Sequence, residues 1–196
     1  MSLESLVASW GPTWGPAAVF AGCALEGETS AILGGMIAHR GIAGWLVMAA
    51  SAAAGAFVAD QGWFLLSRHA GTWPRLARLR QLAAASRFQA GLGRHAVLAS
   101  LIFRFVPGTR ILGPVLLAQT GLGWPVFAAL DGLSVLVWAG IFTALGYHFG
   151  RATEALFGRL PLHDWLWLVL AVGAVALTLH LLWRRRASRK AGPRAG

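Results

Sequence analysis

Five apolar stretches follow one another along the chain, separated by short polar connections. They lie at about residues 17–38, 45–67, 96–118, 124–149 and 165–183. The last stretch, 19 residues from Trp165 to Trp183, contains no acid, lysine or arginine, and as a helix it is about 28 Å long. That length matches the hydrocarbon layer of a bilayer, and residues 45–67 and 124–149 are also long enough to cross it. The pattern therefore predicts an all-α membrane protein.

Two of the stretches are interrupted where a membrane span is normally continuous. Residues 17–38 carry Glu26-Gly27-Glu28 near their middle. Residues 96–118 carry Pro107-Gly108 and, a few residues further on, Gly113-Pro114. Proline removes a helical hydrogen bond and glycine weakens a helix, so each stretch is expected to form two half-helices around a break. Because such breaks are not tolerated against lipid, we predict two re-entrant hairpins covered by protein or facing a wet cavity.

Composition and charge support a membrane protein and indicate its orientation. Hydrophobic residues make up 57% of the chain and charged residues 12%, whereas soluble domains have roughly 25% charged residues. Much of the net charge of +10 comes from residues 68–94 and 184–196. Basic clusters beside spans mark the cytoplasmic side and meet anionic lipid headgroups, so we interpret the charge as topology and not as nucleic-acid binding. The C-terminus is thus predicted to be cytoplasmic, with span 45–67 running inward and span 124–149 outward.

The predicted organisation has four parts, and the second contains a repeat. The parts are an N-terminal interfacial segment at 1–16, a transport domain at 17–150, a C-terminal transmembrane helix at 165–183 and a basic cytoplasmic tail at 184–196. The transport domain comprises hairpin 17–38, span 45–67, a cytoplasmic basic linker at 68–94, hairpin 96–118 and span 124–149. An offset of 80 residues aligns Ala38 with Ala118 and Gly41 with Gly121. Because the two hairpin-plus-span units have opposite orientations, we predict inverted repeats, a transporter architecture whose site lies where the repeats meet.

Six charged residues lie within or near the apolar stretches, where charge is expensive. They are the acids Glu26, Glu28, Asp60 and Asp131 and the arginines Arg104 and Arg110. Each charge at mid-membrane costs about 2.5–3.5 kcal/mol on insertion scales, so pairing, interior water or protonation of the acids must offset it. The first hairpin supplies acids and the second supplies arginines, so these charges pair if the hairpin tips meet at the midplane. Two interpretations stay open: pairs that only hold the hairpins together, and an anion site in which guanidinium groups bind a phosphate.

The remaining side chains argue against a metal site, a cofactor or an enzyme. Cys23 is the only cysteine, and the six histidines are scattered without close ligand pairs. No candidate nucleophile stands in a recognisable pattern with a base, and no metal-ligand spacing is present. We therefore expect no metal, no cofactor and no catalytic residue, and we consider a membrane enzyme such as a lipid phosphatase the weakest alternative.

Three segments resemble a known family. Arg104-Phe105-Val106-Pro107-Gly108-Thr109-Arg110 resembles the R-F-x-P-G-x-R motif of the DedA family, whose members are also called VTT-domain or SNARE-associated Golgi-type proteins. Leu25-Glu26-Gly27-Glu28-Thr29 is similar to the family's first hairpin, although many members have proline at the position of Glu26. A third segment resembles the family's G-D-x-x-x-Y/F-x-x-G-R-x-x-G pattern. The residues that match it are Asp60, Phe64, Arg68 and Gly71. Ala59 and Ser67 replace glycines of that pattern, and the likeness covers about residues 15–150.

The resemblance implies an inner-membrane lipid transporter that moves undecaprenyl phosphate, a cell-wall carrier lipid, and depends on the proton-motive force; eukaryotic relatives scramble phospholipids. On that basis we expect Arg104 and Arg110 to bind the phosphate. Glu28, with Glu26 and Asp60, is expected to carry a coupling proton or to pair with the arginines. The expected partners are membrane lipids with anionic headgroups and a polyprenyl phosphate, and the oligomeric state is left open. A proton- or cation-coupled small-solute antiporter and a membrane assembly factor without transport activity are the alternatives.

Overall fold

The structure is a computed structural model that describes residues 3–69, 95–106 and 109–158. Within these ranges the chain is helical and contains no strand. The helices are α1 (Leu3–Leu25), α2 (Glu28–His39), α3 (Trp45–His69), α4 (Ala96–Ile102), α5 (Leu112–Leu117) and α6 (Trp124–Phe157), with a 3₁₀ turn at Phe103–Phe105 after α4. The all-helical prediction is confirmed for this part of the chain. The predicted C-terminal helix 165–183, the tail 184–196 and most of linker 68–94 lie outside the described residues.

Helix α6 is long and apolar enough to cross a membrane, by its length and composition. Its most apolar window, within Trp124–Leu156, reaches a mean hydropathy of 1.8, and the 34-residue helix is about 50 Å long. It is the one such helix in the described ranges. Proline at its first turn suits a helix start, and Gly158 at φ 72° suits its end. The helix extends beyond the predicted limit at residue 149, passing through Gly150 and ending at Phe157, where Gly158 follows.

The first interrupted stretch forms two helices separated by Glu26 and Gly27. Gly27 has φ 110°, a backbone conformation that side-chain-bearing residues rarely adopt, so glycine permits the break at this position. The N-terminal end of helix α1 differs from the sequence-based expectation. It begins at Leu3 and continues through Pro12 and Pro16, whereas we expected a separate interfacial segment at 1–16. That expectation followed from starting the apolar stretch at residue 17, whereas the helix begins well before that stretch.

The second interrupted stretch is also divided, into α4 with its 3₁₀ turn and the short helix α5. The Thr109 hydroxyl lies within 2.7 Å of the Val106 carbonyl and also contacts the Phe103 carbonyl. Gly113 lies directly against the Phe103 ring, where a Cβ atom would collide with ring carbons. Thr109 and Gly113 therefore pack against Phe103, the first residue of the 3₁₀ turn. Pro107 and Gly108, which we predicted as the break, lie outside the described residues.

The helices pack in a reciprocal pattern around the two long helices α3 and α6. Helix α1 packs on α3 and α4 packs on α6, so the first half of each interrupted stretch contacts the long helix that follows it. The second halves contact the other long helix, because α2 packs mainly on α6 and α5 packs on α3. Helices α3 and α6 run antiparallel: Arg68 near the end of α3 donates to the Leu122 carbonyl at 3.1 Å. Near the C-terminal end of α6, Glu154 contacts α2: one of its carboxylate oxygens lies 2.7 Å from Nε2 of His39.

Glycines allow α2 and α6 to cross with their backbones in contact. A Cβ atom on Gly35 would collide with the Thr143 carbonyl of α6, and one on Gly146 would collide with the Ile32 carbonyl of α2. These collisions involve backbone atoms, which cannot move unless the helices separate. The crossing therefore requires glycine at both positions.

We expect Gly146→Ala to destabilise the protein by about 1–3 kcal/mol because the new methyl group pushes α2 away from α6. The apparent Tm in detergent should fall by about 2–4 °C per kcal/mol. Gly140→Ala is a matched control on the same helix, since its Cβ would meet nothing within 4 Å. That variant should be as stable as the wild type or slightly more stable, because alanine favours helices. Equal Tm values for the two variants would contradict the close crossing.

Candidate functional site

The two helix breaks meet through Arg110. Its guanidinium donates to the backbone carbonyl of Cys23, in the last turn of α1. It also lies against Gly27, where a Cβ atom would collide with the guanidinium. The last carbonyls of a helix lack partners within the helix and carry partial negative charge, so a cation there is favourable. Arg110 Nη1 is buried and has no hydrogen-bond partner in the described part of the protein, although the residue as a whole is only partly buried.

Glu26 places a carboxylate at the start of α2. It accepts a hydrogen bond from the Thr29 hydroxyl at 2.6 Å and a longer one from the Ser30 hydroxyl at 3.4 Å. The start of a helix favours negative charge, so the side chain is stabilised there. Glu28 stands in the first turn of α2, and both glutamates are exposed. The first break therefore presents two carboxylates beside Gly27, the residue that Arg110 contacts.

Arg104 lies in a different environment from Arg110. Its side chain is enclosed, with a relative exposure of 6% for the residue, and it forms an ion pair with the fully buried Asp60 of α3. Arg104 Nη2 is also 3.5 Å from Oδ1 of the fully buried Asp131 of α6. We expected the hairpin arginines to pair with the hairpin acids. For Arg104 the partners instead come from the two long helices: Asp60, which was among the acids expected to pair with an arginine, and Asp131, which was not.

Polar and aromatic side chains complete the surroundings of this cluster. Gln61 donates to Asp131 Oδ2 at 2.8 Å and accepts a hydrogen bond at 3.0 Å from the Trp124 indole nitrogen. The Arg104 guanidinium carbon lies 5.1 Å from the ring centroid of Trp138 and 5.8 Å from that of Phe103. Aromatic faces attract cations at such distances. The cluster thus ties the 3₁₀ turn of the second interrupted stretch to both α3 and α6.

Asp131 was one of the acids that required compensation, but its place beside Arg104 was not predicted, although a signal for it was present. Trp124, Asp131 and Trp138 are spaced seven residues apart. That spacing places all three on one face of α6. This spacing, which places an acid between two tryptophans on one helical face, was the sequence signal for the cluster. Of the other predicted positions, Gly113 and Pro114 are buried at the start of α5.

Another contact lies at the far end of α2 and α6. His39 approaches Glu154 and stacks edge-on against Tyr147, with ring centroids 5.1 Å apart. It joins the two helices at the end away from Arg68 and Leu122. Among residues 3–69, 95–106 and 109–158, no group of three or more histidine, cysteine, aspartate or glutamate side chains could hold a metal ion.

The described residues form an all-helical protein in which α6 is long and apolar enough to cross a membrane. No family model matches the chain, and no solved structure matches it. The chain is 31% identical over 194 residues to inner membrane protein YohD of Escherichia coli K12, covering 97% of both chains. It is 30% identical over 188 residues to membrane protein slr0232 of Synechocystis sp., covering 88% of this chain and 86% of that one. Over 173 residues it is 30% identical to inner membrane protein YqjA of Escherichia coli K12, covering 83% of this chain and 76% of that one. The chain belongs to the family of inner membrane proteins that includes YohD.

Proposed function

We propose that this protein translocates a lipid phosphate, such as a polyprenyl phosphate, across the inner membrane, and that its family is the DedA family named above. The observation that carries this proposal is the position of Arg110. A partly buried guanidinium, whose Nη1 has no hydrogen-bond partner among the residues that the structure describes, sits where the two helix breaks meet. Arginine binds phosphate oxygens through paired, charge-assisted hydrogen bonds. Arg110 is therefore the side chain to which we assign the phosphate.

The surroundings of the breaks suit a lipid better than a small polar solute. Large apolar side chains are exposed next to the breaks: Leu25 at 87%, Phe105 at 45% and Ile111 at 41%. An apolar rim around a cation fits a molecule with a charged head and a hydrocarbon tail. A solute antiporter instead requires a polar vestibule around the same charges. The rim therefore favours the lipid over the antiporter.

The glutamates at the first break provide a route to proton coupling. The Glu26 carboxylate holds the Thr29 and Ser30 hydroxyls at the start of α2, a position that also suits a phosphate. Two anions do not share such a position, so a phosphate competes with ionised Glu26. Protonation of Glu26, or of the neighbouring Glu28, lowers the negative charge and favours phosphate binding. We propose that one of these glutamates gains a proton as the lipid phosphate binds.

Arg104 has a different role in this proposal. Its guanidinium is enclosed between Asp60 and Asp131, so a phosphate reaches it only if that ion cluster opens. We therefore propose that Arg104 anchors the second interrupted stretch to α3 and α6. From the sequence we expected both arginines to bind the phosphate. In this proposal only Arg110 binds it.

The reciprocal packing supports a transporter built from inverted repeats. Each interrupted stretch contacts its own long helix with its first half and mainly the other long helix with its second half. When two similar units pack together about a two-fold axis, part of each unit contacts the other unit, as in transporters with inverted repeats. We propose that the two interrupted stretches are re-entrant hairpins and that the basic tail faces the cytoplasm.

The test is transbilayer movement in proteoliposomes. A fluorescent polyprenyl phosphate is compared with a fluorescent phosphatidylcholine, each with and without a pH gradient, and protein-free liposomes provide the baseline. We expect selective movement of the polyprenyl phosphate, accelerated by a gradient that supplies protons on the side where the lipid binds. Equal movement of both lipids would show that the protein scrambles lipids without selecting the polyprenyl phosphate. Movement of neither lipid would contradict the proposed function and would favour the solute-antiporter hypothesis.

A further inference from the structure

The cluster around Arg104 contains more negative than positive charge. Asp60 and Asp131 are both fully buried, and in the described part of the protein the guanidinium of Arg104 is the cation that contacts them. With all three groups ionised, the cluster carries a net charge of −1 inside the protein. A buried charge without a partner is strongly disfavoured, whereas a neutral cluster is tolerated.

Among residues 3–69, 95–106 and 109–158, none of the helices packed around the cluster supplies the missing positive charge. Helix α3 contributes the neutral Gln61 next to Asp60, and α6 contributes the neutral indoles of Trp124 and Trp138. Helices α4 and α5 contain no titratable side chain. Arg110, the other arginine of the second interrupted stretch, donates to the Cys23 carbonyl and forms no ion pair with either aspartate in the described part of the chain.

The hydrogen bonds indicate which oxygen is available for a proton. Asp131 receives a donor at each oxygen, Gln61 at Oδ2 and Arg104 at Oδ1. Asp60 uses Oδ2 in its ion pair with Arg104. Its Oδ1 is enclosed and has no hydrogen-bond partner among the residues that the structure describes. A proton on this oxygen displaces no existing donor and cancels the excess charge.

We propose that Asp60 and Asp131 together bind one proton beside Arg104 at neutral pH. The ligand of this site is the proton itself, shared by a coupled pair of carboxyl groups. The site is separate from the exposed glutamates Glu26 and Glu28, which lie at the first break. It is also independent of the transported molecule, since it follows from the charge and burial of the cluster alone.

The experiment is infrared spectroscopy of the full chain in lipid, because a protonated carboxyl group has a C=O band that an ionised one lacks. At neutral pH we expect the band of one buried carboxylic acid per chain, shifted by isotope labelling of the aspartate side-chain carboxyl carbon. Asp60→Asn and Asp131→Asn should each abolish the band, since the single remaining acid then pairs with Arg104 as an anion. The labelling measurement uses the wild-type chain, so it decides the matter even where a variant fails to fold.

Matched variants locate the proton. Glu28→Gln and Glu26→Gln should retain the band, and so should Asp164→Asn, which changes the third aspartate of the chain. Absence of the aspartate-dependent band in the wild type would overturn the proposal. Persistence of the full band in both Asp60→Asn and Asp131→Asn would also overturn it. A loss of lipid movement alone, with the band intact, would count against the proposed function and leave this proton site standing.

Discussion

Arg110→Ala should abolish most transport of polyprenyl phosphate while the protein stays folded in the membrane. The guanidinium is the proposed ligand of the phosphate, and a charge-assisted hydrogen bond contributes about 1.5–3 kcal/mol. At roughly 1.4 kcal/mol per factor of ten, its loss should slow transport by about 10- to 100-fold. The structural cost should be small, since alanine removes one donor from the Cys23 carbonyl and leaves no buried charge behind. The measurement is the initial rate of lipid movement in proteoliposomes, normalised to inserted, folded protein.

Two further arginine variants separate phosphate binding from other effects. Arg110→Lys keeps the positive charge but loses the planar fork, so we expect an intermediate rate. Arg68→Ala is a matched control, because Arg68 also donates to a backbone carbonyl, that of Leu122, from an exposed position away from the breaks. Its rate should equal that of the wild type. A wild-type rate for Arg110→Ala, or an equal loss in Arg68→Ala, would remove Arg110 from the proposed site.

The positions of the helix breaks were predictable because they depend on local chemistry. Glu26-Gly27 interrupts an apolar stretch with a charge and a flexible residue, and the structure ends α1 and begins α2 there. Trp124 was predicted to open a span, and it is the first residue of α6. The start of α1 was not predictable in the same way. Pro12 and Pro16 normally oppose a helix interior, yet α1 includes both.

The partners of Arg104 were not predictable from charge pattern alone. The sequence contains four acids near the apolar stretches, and each could in principle compensate an arginine. The choice among them depends on which helices pack together. Because α3 and α6 lie side by side, Asp60 and Asp131 converge on the 3₁₀ turn that carries Arg104. Arg110 does reach the first break, but it contacts the Cys23 carbonyl and Gly27, and the structure shows no ion pair between it and the described Glu26 or Glu28.

Arg104→Gln should be the most destabilising single substitution in the cluster. It removes the cation and leaves Asp60 and Asp131 facing each other in an enclosed site. Removing one partner of a buried ion pair typically costs about 3–5 kcal/mol. For a chain of this size, the apparent Tm in detergent should fall by on the order of 10 °C. The loss should be larger at high pH and smaller at low pH, because protonation of the two acids removes the uncompensated charge.

Neutralising the acids as well tests whether charge is the cause. In the triple variant Asp60→Asn, Arg104→Gln and Asp131→Asn, no buried charge is left without a partner. We expect it to recover a large part of the lost stability, since a neutral buried network of similar shape avoids the cost of isolated charges. Its Tm should also lose the pH dependence of the single variant. If the triple variant is no more stable than Arg104→Gln at high pH, shape and hydrogen bonding, and not charge compensation, hold the second interrupted stretch between α3 and α6.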